Sequence, residues 1–431
     1  MPKTLDDWLE YIGRQHPQAI EMGLARVRGV AEAMGLGRPA PRVVTVAGTN
    51  GKGSTVTFLE AIAREGGLRV GAYTSPHLVE YAERVRIDGA QVAPSDLVEA
   101  FAAVEAARGP TPLTYFEFGT LAALWLFARA GLDLAILEVG LGGRLDATNL
   151  VDADVAVITT VDLDHQDWLG ADREAIGAEK AGIARAWKPL VLGDDDPPAS
   201  VLRHAYALGA SALRIGCDFF FEPVDAGHWR WREVGHALDL PRPALAAPVQ
   251  LRNAAVAIAV VRALDLDIDD AAIARGVVAA RLPGRLQQFR RDGVEIAIDV
   301  GHNPQAARAL ADWLHATPAA GRTHAVYAAL GDKDAATVVA AFDGLVDAWW
   351  LGGSLGAGAR GIDVQALAAR LSGSSAGQGT QSPDPAAALA AALQSAVPGD
   401  RILAFGSFHA AEEALRALRM PDSEAGQARI V

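Results

Sequence analysis

The chain has 431 residues, of which 51% are hydrophobic, and this length favours two domains with large cores. Its formal net charge of −13 argues against a nucleic-acid partner, so an anionic substrate has to be met by local positive groups. The single cysteine, Cys217, excludes an internal disulfide and a cysteine-ligated metal. With no apolar signal core at the N-terminus, it favours a cytoplasmic location. The apolar stretches are strand-sized or broken by charge, so no membrane span is expected.

The first half of the chain alternates apolar strands with helical patterns. Strands are predicted at 43–47, 69–75, 132–139, 155–161 and 190–192, and helices at 5–35, 54–64, 95–108, 114–130 and 172–184. This rhythm predicts parallel strands with helices on both faces.

The second half changes pattern twice. Residues 213–250 are rich in aromatics and glycines and favour a small antiparallel sheet, followed by two helices from about 253 and about 269. The Pro-Gly pair in 282–285 indicates a hinge. Strands then resume at 294–299, 323–329, 346–351 and 401–405, while the Gly/Ser-rich run 372–379 favours an exposed loop. The predicted fold is α/β, with a mostly parallel, P-loop ATPase-like sheet plus a small antiparallel sheet in domain 1–284, and a smaller Rossmann-like domain at 285–431.

A glycine loop between the first strand and its helix is the strongest chemical signal. Strand 43–47 is followed by three glycines within six positions and then by a helical pattern. Backbone N–H groups and the helix dipole would favour an anion there, with Lys52 adding charge and Ser54 or Thr55 a hydroxyl for Mg²⁺. In the common phosphate loop, Ser or Thr follows the lysine directly, whereas here Gly53 lies between Lys52 and Ser54. A loop without function is the alternative. The predicted ATP-binding residues are Gly48, Thr49, Asn50, Gly51, Lys52, Gly53, Ser54 and Thr55.

Polar side chains follow four of the predicted strands. Ser54, Ser75, Glu138 and the pair Asp164-His165 all come where a parallel sheet binds its ligands. Hydroxyl, carboxylate and imidazole groups at one sheet edge suit hard divalent cations beside a triphosphate. Taken singly, each could be a solvated or hydrogen-bonded group; their joint placement favours function.

Other polar residues have open alternatives. Lys180 lies on a predicted helix, where it is either a surface charge or aimed into a cleft. Asp299, His302 and Asn303 follow the first strand of the second domain; a plain turn capped by Asn303 is the alternative to a ligand site. The stretches 330–334 and 406–409 end two later strands of that domain.

At these residues the chain resembles the bacterial folylpolyglutamate synthase/dihydrofolate synthase family, which is kin to the Mur peptidoglycan ligases. The phosphate loop resembles that family's loop, including the inserted Gly53. Similar motifs follow in the same order at 75–78, 137–149, 164–165, 179–183, 282–285, 299–304, 332–334 and 406–409. One departure is Gly301, where alanine is expected more often.

The resemblance implies a role for each matched residue. Metal ligands for two Mg²⁺ sites would be Ser54, Ser75, Glu138, His165 and a carbamylated Lys180, with a monovalent cation such as K⁺ as a further cofactor. Besides the loop, ATP would meet Asn253, Arg285 and Asp299. The catalytic residues would be Lys52, Asp146, Lys180 and His302. Phe116, Ala147 and Asn149 would border the pterin, and Lys333, Ser407 and His409 would receive glutamate.

The implied activity is ATP-dependent addition of L-glutamate to dihydropteroate, and to the γ-carboxylate of reduced folyl-glutamates, through an acyl phosphate. The stretch 114–117 resembles the enzymes that also handle dihydropteroate. A monomer is expected, with small-molecule substrates and neither nucleic acid nor membrane as partner. The alternatives are a folylpolyglutamate synthase without dihydropteroate activity, another Mur-type ligase, or an ATP-driven switch that makes no bond.

Overall fold

The computed structural model describes residues 2–16, 18 and 20–419, and the backbone of 429–430. Its contacts divide the chain into two units. The first runs to Ala244 and takes up Gln250–Arg281 again; the second holds Leu245–Val249 and the chain from Leu282 onward.

An eight-stranded sheet forms the centre of the first unit. Its strands are β1 (Arg42–Ala47), β2 (Val70–Tyr73), β3 (Val85–Ile87), β4 (Ala90–Gln91), β5 (Leu134–Glu138), β6 (Val155–Ile158), β7 (Pro189–Leu192) and β8 (Ser211–Arg214). They lie in the order β4-β3-β2-β5-β1-β6-β7-β8, and every neighbouring pair is parallel except β2–β3 and β3–β4. The central strand β1 therefore ends beside the ends of β5 and β6.

Helices cover both faces of this sheet. They are α1 (Leu5–Ile12), α2 (Ala25–Ala33), α3 (Lys52–Glu65), α4 (Pro94–Arg108), α5 (Tyr115–Ala130), α6 (Gln166–Leu169), α7 (Arg173–Ala181), α8 (Ala199–Leu208), α9 (Val249–Ala263) and α10 (Asp270–Ala279). One face packs around Trp8, Phe101 and Phe118, and the other around Ile176 and Leu192. Because β1 is buried on both faces, it reads as a continuous apolar run.

A three-stranded antiparallel sheet is also part of the first unit. Its strands are β9 (Phe219–Pro223), β10 (His228–Glu233) and β11 (His236–Pro241), in the order β11-β10-β9. Trp229 and Trp231 of β10 are fully buried, and the Trp231 indole N–H donates to the Ala255 carbonyl oxygen of α9 at 3.1 Å. That contact fixes α9, which carries Asn253.

The second unit is built on a seven-stranded sheet. Its strands are β12 (Gln287–Arg291), β13 (Val294–Ile298), β14 (Thr323–Tyr327), β15 (Ala348–Gly352), β16 (Thr380–Ser382), β17 (Arg401–Phe405) and β18 (Arg429–Ile430), and its helices are α11 (Pro304–Ala316), α12 (Ala335–Ala340), α13 (Val364–Arg370), α14 (Pro385–Ser395) and α15 (Phe408–Arg419). The order is β16-β15-β14-β17-β13-β12-β18, antiparallel only at β12 and β18. Tyr327, Phe342, Trp349 and Phe405 pack together in its core.

The predicted α/β fold class is confirmed, and the element boundaries need corrections. Within the described residues, the helical region predicted at 5–35 contains two helices, because the Gly13 cap ends α1 and Gly23 (φ 159°) interrupts the stretch before α2; positions 17 and 19 of that prediction lie outside the described residues. Helix α4 begins at Pro94 rather than Ser95, since proline suits the first helical turn. The run predicted as an exposed loop at 372–379 contains a 3₁₀ turn, Ala376–Gln378, whose Ala376 is buried.

Several elements carried no pattern strong enough to predict. Strands β3, β4, β16 and β18 have two or three residues each, too few for a period-two pattern to show. Helix α9 begins at Val249, about one turn before the predicted position. Within the described part of the chain, no helix has both the length and the apolar character that a membrane crossing requires.

Candidate active site

The glycine loop joins β1 to α3 in a backbone conformation that side chains would obstruct. Gly51, the residue before α3, is left-handed (φ 86°), and a Cβ there would lie 2.6 Å from the Asn253 Oδ1 atom. A Cβ on Gly48 would lie 1.8 Å from the Thr159 Oγ1 atom. Both positions therefore require glycine.

The residues after β6 hold this loop from the side. The Thr49 N–H donates to the Thr160 carbonyl oxygen at 2.8 Å, and the Asn50 N–H donates to the Thr160 hydroxyl at 3.2 Å. The Thr159 hydroxyl donates to the Asn50 carbonyl oxygen at 2.6 Å. The loop is thus fixed before any ligand arrives, while the first turn of α3 leaves N–H groups without intrahelical acceptors.

Lys52 and two hydroxyl residues line the start of α3. The Lys52 Nζ donates to the carbonyl oxygens of Gly48 and Thr49 at 3.0 and 3.3 Å, so the ammonium lies over its own loop. Ser54 and Thr55 are buried, and the Thr55 hydroxyl has no hydrogen-bond partner among the described residues. These groups surround a place that suits an anion with its metal.

Two of the predicted metal ligands lie together at the ends of neighbouring strands. The Ser75 N–H, just beyond β2, donates to the Glu138 Oε2 atom at 3.2 Å. Glu138 ends β5 and stands opposite Val46 of β1 in the sheet register. Only 4% of Glu138 is exposed, so its carboxylate is not a solvated surface group.

Asp146 organises the loop that follows β5. Its carboxylate accepts the N–H groups of Gly140, Leu141 and Thr148 at 2.9–3.0 Å, and the Thr148 hydroxyl at 2.7 Å. Burial raises the pKa of Asp146, and these hydrogen bonds oppose that rise. All of these contacts stay within the loop, so the geometry gives Asp146 a positioning role.

The same loop holds the end of α7. The Arg144 N–H donates to the Glu179 carbonyl oxygen at 2.8 Å, and the Asn149 side-chain amide donates to the carbonyl oxygens of Arg144 and Gly182 at 3.0 and 3.1 Å. A Cβ on Gly143 would lie 3.0 Å from the Lys180 Cα atom. The loop therefore fixes the backbone on both sides of Lys180.

Lys180 points into the unit rather than to solvent. Only 3% of it is exposed, and no acceptor lies within hydrogen-bonding distance of its Nζ among the described residues. Burial lowers the pKa of Lys180 to about 7, and the nearby Lys52 charge lowers it further, while Asp164 and Asp146 oppose the shift. A lysine beside the phosphate loop is thus partly neutral near physiological pH.

His165 lies after β6, directly before the short helix α6. Its backbone is left-handed (φ 52°), its Nε2 atom lies 3.9 Å from the Asp164 Oδ1 atom, and about a third of its side chain is exposed (35%). The helix places His165 at the carboxyl edge of the same sheet as Ser75 and Glu138.

The residues predicted to border the pterin differ in accessibility. The Phe116 ring is half-buried; a Cβ on Gly140 would lie 2.7 Å from it, and its centroid lies 5.9 Å from that of Tyr73. Ala147 and Asn149 are buried, and the Asn149 amide is engaged in the loop. Phe116 is therefore the better placed to face a ring.

The donor set fits a hard cation without forming an acidic cluster. Among the described residues, no group of three or more His, Cys, Asp or Glu side chains is arranged to hold a metal. The predicted set relies instead on the hydroxyls of Ser54 and Ser75 with Glu138 and His165. The oxygens of Ser54, Ser75 and Glu138, completed by phosphate oxygens, are donors typical of Mg²⁺ in nucleotide sites, and His165 would add one nitrogen donor.

In the second unit, Asp299 lies just after β13 and fixes its turn. Its two carboxylate oxygens accept the N–H groups of Gly301 and Leu286, each at 2.7 Å. Burial raises the pKa of Asp299, and the Arg285 charge and these bonds oppose that rise.

Arg285 and His302 meet at the ring of Phe408. The Arg285 guanidinium lies 5.2 Å from the Phe408 ring centroid, and the His302 ring lies 6.3 Å from it. The His302 Nδ1 atom is 3.0 Å from the Val300 carbonyl oxygen. Asn303 caps α11 through the Ala306 N–H at 3.0 Å, as the turn alternative required.

The predicted glutamate residues of this unit are differently engaged. The Ser407 hydroxyl is buried, donates to the Ala328 carbonyl oxygen at 2.9 Å and accepts the Ala410 N–H at 3.0 Å. His409 lies beside the 355–360 turn, where a Cβ on Gly356 would be 3.0 Å from its ring. Lys333 is half-buried just before α12.

Sequence reasoning missed the supports of the phosphate loop. Thr159 and Thr160 hold that loop through hydrogen bonds to Thr49 and Asn50. Their position directly after a buried strand at the sheet's carboxyl edge was the available signal.

Two family models cover most of the chain. The Mur ligase middle domain matches residues 46–220, and the Mur ligase glutamate ligase domain matches 284–408. The curated dihydrofolate synthase/folylpolyglutamate synthase of Escherichia coli is 45% identical over 94% of this chain and 93% of its own length. The protein of that name from Haemophilus influenzae is 41% identical over 95% and 96%.

Solved structures agree in fold. Escherichia coli FolC in complex with DHPP and ADP superposes with a TM-score of 0.91, at 44% identity, over 96% of this chain and 97% of that one. The Yersinia pestis bifunctional folylpolyglutamate synthase/dihydrofolate synthase, complexed with AMPPNP and Mn, gives 0.90 at 45% identity over 97% and 98%.

Proposed function

The chain belongs to the dihydrofolate synthase/folylpolyglutamate synthase family, and from this premise we propose which of its residues carry out ATP-dependent glutamate ligation. It is an ATP-dependent, amide-forming ligase that adds L-glutamate to dihydropteroate, giving dihydrofolate, and to the γ-carboxylate of folyl-glutamates. Its cofactors are ATP and a divalent metal.

The reaction needs an activated carboxyl group, because oxide is a poor leaving group. A substrate carboxylate oxygen attacks the γ-phosphorus of ATP, and the bond to ADP breaks. The α-amine of glutamate then attacks the acyl phosphate carbon, loses a proton, and expels inorganic phosphate. The products are one amide, ADP and phosphate.

The observation that supports the site assignment most is the buried Lys180 beside the phosphate loop. A buried ammonium near Lys52 is unfavourable, whereas a carbamate on Lys180 carries a negative charge that Lys52 and a metal would stabilise. The lowered pKa of Lys180 favours the neutral amine, whose nitrogen adds to carbon dioxide and loses one proton to give the carbamate. We therefore assign a carbamylated Lys180 as a metal ligand.

The proposed metal ligands are Ser54, Ser75, Glu138, His165 and carbamylated Lys180. Mg²⁺ bound there would neutralise charge on the transferring phosphoryl group. Lys52 and the first-turn N–H groups of α3 contribute positive charge at the same place.

The remaining assignments rest on the resemblance of these residues' motifs to those of the family. Asn253 is buried against Gly51 and is assigned to the nucleotide, as are Arg285 and Asp299, with His302 toward the phosphates. Asp146 acts through the loop it holds. Phe116 is assigned to the pterin, with Ala147 and Asn149 forming the loop behind it. Lys333 and His409 are assigned to glutamate, and Ser407 supports them.

Product analysis tests this function. The purified chain, ATP and Mg²⁺ are incubated with dihydropteroate or tetrahydrofolate, with and without glutamate, and ADP and product masses are measured. We expect ADP release that depends on both organic acids, with the mass of one added glutamate in each reaction. ADP release without glutamate or pteridine would contradict ligation, and product from tetrahydrofolate alone would restrict the enzyme to polyglutamylation.

The domain boundary at 284/285, the monomeric state and the cytoplasmic location stay predictions. Sedimentation of the purified chain at several concentrations would test the monomer.

A further inference from the structure

Arg84 is a buried cation that the assignments above do not use. It ends the 3₁₀ turn Tyr81–Arg84, which follows the Ser75–Leu78 stretch, and only 8% of it is exposed. The Thr74 N–H donates to its carbonyl oxygen at 2.9 Å, so its backbone is held one residue from Ser75.

Neutral side chains surround its guanidinium. The group lies over the rings of Tyr81 and Tyr115, 5.2 and 5.5 Å from their centroids. Its Nε–H donates to the His77 Nδ1 atom at 2.9 Å. Since an arginine Nε only donates, the His77 Nδ1 is the acceptor, and its lone pair orients the guanidinium plane.

Among the described residues, no acid forms an ion pair with this charge. No carboxylate in the described part of the chain lies within ion-pair distance of Arg84, whereas two partly buried arginines, Arg86 and Arg108, have Glu60 and Glu105 at 2.8 and 2.6 Å. The adjacent Glu83 forms no ion pair with Arg84; its carboxylate accepts the N–H groups of three residues in its own loop at 2.7–2.8 Å: Leu78, Val79 and Glu80.

The terminal nitrogens of Arg84 remain available. They make no hydrogen bond to any described residue, and the surrounding protein does not fully enclose them. They therefore reach solvent from an otherwise buried side chain. A buried charge without a partner is costly to fold, and a bound anion removes that cost.

We propose that Arg84 binds a carboxylate of the pteridine substrate, and that His77 presents its guanidinium for this contact. Tyr115 under the guanidinium is the neighbour of Phe116, and Thr74 ties Arg84 to Ser75, so the receptor lies beside the assigned pterin and metal residues. A planar guanidinium matches a carboxylate in bidentate geometry. The proposal rests on the function proposed above.

Two substrate carboxylates have this chemistry. One is the reacting carboxylate of dihydropteroate; the other is the α-carboxylate of the terminal glutamate in a folyl-glutamate, which does not react. If Arg84 binds the reacting carboxylate, it serves both substrates. If it binds the α-carboxylate, it serves polyglutamylation alone.

Ligand pairs that differ only in charge test the contact. Binding is measured by fluorescence titration, with AMPPNP and Mg²⁺, for dihydropteroate and its carboxamide, and for tetrahydrofolate and its α-carboxamide. We expect the wild-type chain to bind at least one acid about tenfold or more tighter than its amide, and Arg84→Gln to bind both forms equally. The acid–amide pair whose difference in affinity disappears in Arg84→Gln identifies the carboxylate that Arg84 binds.

Arg69→Gln is the matched control, because it removes the same charge at a different place. Arg69 is exposed at the start of β2, away from the strand end that leads to Ser75, and it pairs with Asp88 at 3.4 Å. It should keep the full acid preference. If Arg84→Gln does not fold in a thermal melt, His77→Phe removes only the acceptor and should reduce the preference, while His77→Gln restores it.

An acid preference that survives in Arg84→Gln, or is absent from wild type, would overturn the proposal. A chain that binds and distinguishes these acids but forms no glutamate product would instead contradict the proposed function.

Discussion

The carboxyl edges of the two large sheets hold their polar side chains in different ways. In the first unit, Lys180 and Arg84 are buried basic side chains with no carboxylate within ion-pair distance among the described residues. In the second unit, Asp299, Asn303 and Ser407 are hydrogen-bonded to backbone groups of their own unit. Unpaired buried charge indicates a group that a ligand or a modification completes, whereas paired polar groups shape loops.

Removing Lys180 should give the largest effect. Lys180→Ala deletes the proposed carbamate, so turnover should fall at least about a hundredfold, with partial recovery on adding a short-chain carboxylate that occupies the space. Steady-state ADP release measures both. Lys188→Ala, on an exposed lysine that pairs with Asp154 at 3.3 Å, is the control and should stay near wild type. Near-normal turnover in Lys180→Ala would remove this residue from the mechanism.

The same residue predicts a pH dependence. Because the pKa of Lys180 is lowered to about 7, the amine is largely neutral above that pH and largely an ammonium below it. Carbon dioxide adds only to the neutral amine, so turnover at limiting bicarbonate should fall up to about tenfold per pH unit below 7. Rates at several fixed bicarbonate concentrations test this. An acid limb that high bicarbonate does not shift would argue against carbamylation.

The fold and the phosphate loop could be predicted because their signals are local. Buried strands read as apolar runs, and Gly48 and Gly51 stand where only glycine avoids Thr159 and Asn253. Glu138 and Ser75 could be placed together because parallel strands end at one edge.

Whether a polar residue meets a ligand or its own chain could not be predicted, because this depends on distances across the fold. Asp146 and Ser407 have the same residue types as ligand-binding groups, yet their oxygens are engaged by nearby loop and helix-end groups. Arg84 could be identified only because no carboxylate among the described residues pairs with it, and no linear pattern contains that information.

A change at Lys333 tests whether the second unit also holds a side chain that contacts substrate. Lys333→Gln should raise the KM for glutamate about tenfold or more, since an amide cannot replace the charge on a carboxylate contact, and leave the KM for ATP within about twofold. Arg416→Gln on α15, where Arg416 pairs with Glu412 at 2.8 Å, is the control for loss of one charge. Equal increases in both KM values would place the glutamate site elsewhere.

Changing Ser407 should have the smallest effect on activity. It also best separates the side chains that contact substrate from those that shape a loop. Because its hydroxyl joins the Ala328 carbonyl oxygen to the Ala410 N–H, Ser407→Ala should lower the free energy of unfolding by about 1 kcal/mol. The KM for glutamate should change less than in Lys333→Gln. Urea unfolding and glutamate titrations measure the two quantities. Asp384→Ala, which removes the cap of α14 at the Ala387 N–H, should match it in stability with an unchanged KM. The contradicting outcome is a Ser407→Ala chain of wild-type stability whose KM for glutamate rises as much as in Lys333→Gln. Ser407 would then belong with the groups that contact substrate, and the contrast between the two sheet edges would be wrong at this residue.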